Sequence, residues 1–267
     1  MLKAERLKKH FGKVRAVDDV SLEIGNSEFI SIVGPNGSGK TTLVNLISGA
    51  LIPDSGKIYF DGRDITKLPP HVRVKLGIGR SFQIPMVYEN LSSLDNVLLS
   101  ILSRENMAGV FHRTLDKFVE WKEEAEKLLE IFSIPAKPVS ELPHGHRKLL
   151  DVAMALALKP KMVLLDEPTA GISLEERDEV MKTIADVLKA QGIAAVIVEH
   201  DMDIVVEYSD RILVMHEGRI LKEGGREVLE DEEVRRKINE QHERILDLVR
   251  QLERAWEESE SLKRFLR

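Results

Sequence analysis

The chain contains no cysteine. That excludes a disulfide framework and any cysteine-ligated zinc site, and it suits a reducing compartment. Basic charge is not in excess: 39 lysines and arginines stand against 45 aspartates and glutamates, a formal net charge of −6. A nucleic-acid footprint spread over the whole chain is therefore not expected. Long apolar runs are missing as well. The most apolar stretches, "IAAVIV" from Ile193 and "LLDVAMALAL" from Leu149, fall far short of the ~20 residues of a spanning helix. Lys3, Arg6, Lys8, Lys9, Lys13 and Arg15 crowd the start, but no apolar run follows them to make a secretory leader. There is no internal repeat and no low-complexity tract. What is present is 267 residues, 43% apolar and 31% charged. That is the balance of a soluble globular protein with enough chain for one large α/β domain or two small ones.

The pattern along the chain is mixed. "EFISIVG" from Glu28 is a short apolar run closed by a glycine and predicts a strand. "TTLVNLISGAL" from Thr41 has helical spacing at Leu43, Leu46 and Ile47. "GKIYFDGRDI" from Gly56 alternates and then meets an Asp-Gly turn, which predicts a hairpin edge. From Asn90 to Lys159 the pattern becomes helical. Ser92 with Asp95 makes a capping box before "NVLLSIL", and an amphipathic segment runs from Thr114, with Glu123 four residues before Lys127. "ELPHGHRKLLDVAMALAL" then leads a turn straight into a third helix. Strand signals return in "KMVLLDE", "IAAVIVEH" and "RILVMHEGRI", with a helix between the first two. Strand, helix, strand in that order predicts a parallel, buried sheet, interrupted by an inserted helical block.

Three strand ends carry chemistry. "GPNGSGKT", Gly34 to Thr41, fits the spacing of a phosphate-binding loop and lies between a predicted strand and a predicted helix. Gly34, Gly37 and Gly39 let backbone amides wrap a phosphate, with the helix N-terminus adding partial positive charge. Lys40 would reach the β- and γ-phosphates, and the Thr41 hydroxyl would bind Mg²⁺. Met162 to Leu165 run into Asp166 and Glu167, at the carboxyl end of the sheet where ligands bind in open α/β folds. Adjacent carboxylates leave a strand in opposite directions. Asp166 is accordingly expected to hold the metal, and Glu167 to act as general base on the attacking water. His200 closes the next predicted strand in the same way and is expected at the γ-phosphate.

The order of these segments resembles the nucleotide-binding subunits of ABC transporters. The resemblance covers roughly residues 1–235. It rests on the phosphate loop, "SFQ" with Gln83, "ELPHGHRK", "VLLDEPTAG" and "VEHD", in family order and spacing. It implies an α/β fold: a P-loop NTPase core with an antiparallel β subdomain and an inserted helical subdomain. The expected core is 1–83 and 161–235, the helical subdomain 84–160, and a C-terminal helical extension 236–267. It also implies ATP and Mg²⁺. Pro35, Asn36, Ser38 and Thr42 join the other phosphate-loop residues around ATP. Gln83 reaches Mg²⁺ and the attacking water, Phe11 stacks on adenine, and Val17 flanks the base.

By the same resemblance, Pro143, His144, Gly145 and His146 form the signature that faces the ATP of a second subunit. Gly145 allows close approach, and the helix beginning near His146 aims its amides at the γ-phosphate. The common family form has Ser and Gly where Pro143 and His144 stand, and Gln at His146. The missing serine removes a hydroxyl, and a histidine donor from His144 or His146 is one replacement; backbone amides alone are the other. Ser173 stands where many members have aspartate. These departures look most like the group serving branched-chain amino acid uptake.

The implied partners are transmembrane permease subunits, a second ATPase subunit, and indirectly an extracytoplasmic solute-binding protein, with no nucleic acid. The implied location is peripheral, on the cytoplasmic face of the cell membrane. A soluble ABC-type ATPase working on nucleic acid or ribosomes is the alternative, opposed by the acidic charge and the single ATPase core. Over 238–267, Ile238, Ile245, Leu252 and Leu266 share one heptad position, interrupted by Ser259, and Gln241, Leu248, Ala255 and Leu262 share another. That is either a coiled-coil-like seam or a single helix packed on its own domain.

Overall fold

A computed structural model describes residues 1–81, 87–107 and 115–237, with no side-chain description at 115–117. Gln83 and the heptad pattern over 238–267 lie outside the described residues. In chain order the first elements are β1 (Leu2–Phe11), β2 (Val14–Ile24), β3 (Phe29–Val33), α1 (Lys40–Ser48), β4 (Ser55–Phe60), β5 (Arg63–Asp64), α2 (Pro70–Leu76) and β6 (Ile78–Ser81). Helices α3 (Ser93–Arg104), α4 (Leu115–Ile131) and α5 (His144–Ala157) follow. The chain then alternates through β7 (Met162–Asp166), α6 (Leu174–Ala190), β8 (Ala194–Val198) and α7 (Met202–Tyr208), and continues through β9 (Arg211–His216) and β10 (Arg219–Gly224) into a short 3-10 helix at Arg226–Glu230.

Two sheets form. One is four-stranded and antiparallel, in the order β2-β1-β4-β5; the other is six-stranded, β10-β9-β3-β8-β7-β6. In the larger sheet every pairing is parallel except that of the edge strand β10 with β9. All residues of β3, β7 and β8 are buried, as expected for parallel strands covered on both faces. Alternation along the strands divides the core. Val163, Leu165, Ala195 and Ile197 pack with α3, α4, α5 and α6. Met162, Leu164, Val196 and Val198 pack with α1 and the antiparallel sheet.

Register fixes where a site can lie. Asp166 pairs with Val198, Ile32 with Val198, and Ser81 with Leu165. The carboxyl ends of β3, β6, β7 and β8 therefore share one edge, with the phosphate loop, Glu167 and His200 all just beyond it. A buried arginine braces the element that carries the loop. Arg73 of α2 donates to the carbonyls of Leu46 and Ile47 at 2.6 and 2.7 Å, and to those of Leu68 and Thr66 at 2.9 and 3.0 Å. It thus adds donors to carbonyls at the C-terminal end of α1, where the Leu46 carbonyl also accepts from the Gly49 amide at 3.3 Å. Burial pulls its guanidinium down to about 10 from the usual 12.5.

The helical block is stapled in the same manner. The Ser92–Asp95 capping box starts α3. At the other end Arg104 makes a bidentate pair with Glu124 of α4 at 2.7 and 2.9 Å and donates to the Ala157 carbonyl of α5 at 2.6 Å. On α4 the i,i+4 ion pair that forms is Lys122–Glu126, at 3.7 Å.

Two local expectations change. "RILVMHEGRI" is two strands in place of one: the chain reverses at Glu217 and Gly218, both with positive φ (47° and 79°), the backbone of a tight hairpin turn. Helix α5 begins at His144, with Pro143 as its N-cap, two residues before the expected start. Among the described residues no helix is long and apolar enough to cross a membrane.

Candidate nucleotide site

The loop between β3 and α1 is shaped by what surrounds it. Gly34 has φ +144°, and a β-carbon there would sit 2.1 Å from the Met215 carbonyl oxygen; at Gly39, with φ +106°, it would sit 2.1 Å from the Ala16 carbonyl oxygen. Only glycine fits between those backbones. No side chain caps α1, so its first-turn amides have no partner within the helix or from a capping side chain. The buried Ser38 hydroxyl has no hydrogen-bond partner. Lys40 is buried and donates to the loop's own Gly34 and Pro35 carbonyls at 2.7 and 3.0 Å. Burial lowers its pKa from 10.5, against the opposing pull of Glu167 and Asp166. Donors gathered around one cradle fit a bound phosphate. Asn36 and Gly37 are exposed, as is Thr41, while Thr42 is half-buried on α1.

Asp166 and Glu167 separate by a sharper device than strand alternation. Asp166 is still in β7 and buried, and its Oδ2 lies 3.2 Å from an Arg80 nitrogen. Arg80 also donates to Asn45 and Ser48 of α1 at 2.6 and 3.1 Å, which ties β6, β7 and α1 together. Glu167 has φ +50°, a left-handed conformation that costs a non-glycine residue about 1 kcal/mol or more. That turn throws its side chain off the strand toward the end of β8, where Glu167 Oε1 lies 3.3 Å from His200 Nε2. The oxygens of Thr41 and Asp166 are the hard donors that Mg²⁺ selects, so these residues fit the metal expected beside the phosphates.

At the tip of the antiparallel sheet Phe11 is 49% exposed, with the Lys9 ammonium 5.7 Å from its ring centroid. That open ring is available for stacking. Val17 is not available: it is fully buried in the core with Leu7 and Leu43 and offers no surface to a base. In the signature, Pro143 and His144 are exposed and His146 is half-buried at the start of α5. Gly145 is buried, and a β-carbon there would lie 3.2 Å from Val180 of α6. The close approach it permits here is between α5 and α6.

The ABC transporter family model matches residues 17–170, more than half of the chain. The chain belongs to this family, as an ATP-binding subunit. This ABC subunit is 36% identical over 230 residues to a probable branched-chain amino acid transport ATP-binding protein, LivG, of Methanocaldococcus jannaschii, covering 84% of this chain and 89% of that relative. It is 34% identical over 239 residues to the lipopolysaccharide export system ATP-binding protein LptB of Acidithiobacillus ferridurans, covering 88% and 95%. A solved ATP-binding cassette of an ABC transporter superposes with TM-score 0.76 at 35% identity, covering 88% of this chain and 96% of that one. A dimeric cassette in a post-hydrolysis state bound to ADP and Pi gives 0.72 at 25%, covering 85% and 99%. Members of the family are ATPases that power transport, and this subunit is one of them.

Two buried residues of the ABC subunit's site lie within the motif segments, with no role assigned to them from sequence. Glu199 accepts from the Thr169 amide and hydroxyl at 3.0 and 2.5 Å through one oxygen, and from the His200 amide at 3.0 Å through the other. It staples the loop that follows Glu167 to the loop that carries His200. Lys148 on α5 donates to the Glu167 carbonyl at 3.3 Å. Burial lowers its pKa, with Asp151, Glu167, Glu199 and Asp166 opposing the shift. Glu199 stands inside "VEHD" and Lys148 inside "ELPHGHRK", but only the packed fold turns Glu199 toward Thr169 and Lys148 toward Glu167.

Proposed function

We propose that this ABC subunit hydrolyses ATP between two facing ATPase subunits and drives a membrane permease from the cytoplasmic face of the membrane. The observation that carries the reading is the common edge: phosphate loop, Asp166, Glu167 and His200 stand beyond aligned strand ends, with Glu167 held against His200 at 3.3 Å. In this reading the phosphate loop binds the β- and γ-phosphates and Lys40 turns from its own loop carbonyls onto them. Thr41 and Asp166, with Gln83, would hold Mg²⁺, which neutralises developing phosphate charge when bound. Glu167 takes a proton from the attacking water, and His200 contacts the γ-phosphate.

Neither chain alone completes that site. Of the signature, Pro143 caps α5 and residues 144–146 form its first turn, on a different element from the β3–α1 connection that forms the chain's own phosphate loop. Facing chains would supply them in trans, as the dimeric cassette relative supports. ATP then closes the pair and hydrolysis lets it open, a ligand-driven association equilibrium. The permease would dock on the helical block near Gln83 to Asn96. Uptake of branched-chain or other small hydrophobic amino acids is the cargo we favour, supported by the LivG relative and by the unusual residues Pro143 and Ser173.

The test is Glu167→Gln, which keeps size and removes the base. It is expected to bind ATP normally and to hydrolyse it about 10²–10⁴-fold more slowly. Turnover at the parent's rate would refute the assignment.

A further inference from the structure

Helix α5 serves two parts of the proposed site, and one side chain joins them. Its first turn carries His144, Gly145 and His146, assigned above to the opposite ATP. In its second turn Lys148 is buried and reaches back into its own subunit, where its ammonium donates to the Glu167 carbonyl at 3.3 Å. That carbonyl also accepts from the Ala170 amide at 3.1 Å. The donors converge on a peptide next to a strained residue, since Glu167 sits at φ +50°. Such a conformation persists only while its surroundings hold it. A buried lysine is costly in free energy and is not needed for packing, because an apolar chain of similar length fills the same volume. Here its charge faces Asp151 of its own helix, and Glu167, Glu199 and Asp166 at the catalytic edge.

The helix is also mechanically placed for this. Gly145 brings α5 so close to α6 that a β-carbon would lie 3.2 Å from Val180, so the first turn is seated on the element that follows the Glu167 turn. A shift of α5 is therefore felt at both ends of that turn.

We propose that Lys148 is a positioning residue for hydrolysis. From the signature helix it holds the Glu167 turn in the conformation that presents the carboxylate to water, so that engagement of α5 by the opposite nucleotide adjusts the base of the same chain. This rests on the reading of Glu167 as general base.

The experiment compares the full-length chain with Lys148→Met and Lys148→Arg. ATP affinity is measured by equilibrium binding, kcat by phosphate release, and folding by thermal melting. The expected result for Lys148→Met is a fall in kcat of about tenfold or more, with ATP affinity within about twofold; the melting temperature falls as well, because the buried acids that face the ammonium, Asp151 among them, lose their counter-charge. Lys148→Arg is expected to recover most of kcat. A kcat unchanged in Lys148→Met overturns the proposal. So does a parallel loss of kcat, affinity and melting temperature in both variants, which marks a packing role. Glu167→Gln, run beside them, separates the two readings. If it stops turnover while Lys148→Met does not, only the positioning role fails; if it turns over normally, the base assignment itself is wrong.

Discussion

Replacing Glu199 by glutamine changes one atom and should be felt at two loops. The carboxylate accepts three hydrogen bonds, from the Thr169 amide, the Thr169 hydroxyl and the His200 amide. A glutamine must put its NH₂ group on one side or the other. Facing Thr169, it lets the hydroxyl rotate and accept, but the Thr169 amide then meets another donor. Facing His200, it leaves the His200 amide without an acceptor. Either way one N–H loses its partner and the remaining bonds lose their charge assistance. That should cost about 2–3 kcal/mol of stability. The kinetic effect follows from position. Glu199 sets the spacing between the turn that carries Glu167 and the loop that carries His200, and a displacement of about 1 Å at such groups costs on the order of 10²-fold in rate. Urea denaturation should show a lower midpoint with an unchanged slope. Steady-state ATPase assays should show kcat falling with KM nearly constant. A variant that loses less than about 0.5 kcal/mol and keeps more than about half of its kcat would refute the argument that this carboxylate joins the two loops.

The remaining predictions concern the helical block and the signature. Glu124 has its pKa held below 4.5, chiefly by its hydrogen bonds with Arg104. A carboxylate depressed in the folded state contributes stability that is present above 4.5 and lost as pH falls through the lower folded value. Glu124→Gln should therefore cost about 1 kcal/mol near neutral pH, and the gap between parent and variant should close in acid; a gap independent of pH contradicts the ion pair as its source. If His144 or His146 donates to the opposite ATP in place of the missing serine, His144→Ala or His146→Ala should lower the ATPase rate about tenfold. Rates equal to the parent's in both would leave the backbone amides as the only donors from this segment.

The parts of this molecule that could be read from sequence are those whose chemistry is local. The phosphate loop declares itself because its glycines must sit between a strand and a helix. Asp166 and Glu167 declare themselves because they end an apolar strand. Where function depends on how elements meet, the one-dimensional pattern is silent. Glu199 reads as a neighbour of His200, and its role appears only when β7 and β8 pair and bring Thr169 beside it. Lys148 carries no distinguishing pattern in the sequence, and its burial against Glu167 is a result of tertiary packing. Gly145 reads as a gap left for a phosphate, yet its nearest neighbour here is Val180.

Element boundaries failed where the turn used unusual residues. Glu217 takes positive φ in the β9–β10 hairpin, a position where asparagine or aspartate would have given a signal. The β1–β2 ribbon went unread for a related reason. Its apolar alternation through Leu2, Ala4 and Leu7 is broken by register shifts, with Arg6 and Asp19 at positive φ. A small apolar residue near Phe11 is equally consistent with either face of a strand, and β2 turns Val17 inward, where it is fully buried.

The central claim is that ATP joins two copies of the site and that neither copy finishes hydrolysis alone. Sedimentation of Glu167→Gln, in which bound ATP is not consumed, tests it most directly. The variant is expected to be a monomer without nucleotide and with ADP, and a dimer at saturating ATP and Mg²⁺. A species that binds ATP fully and still sediments as a monomer would contradict it.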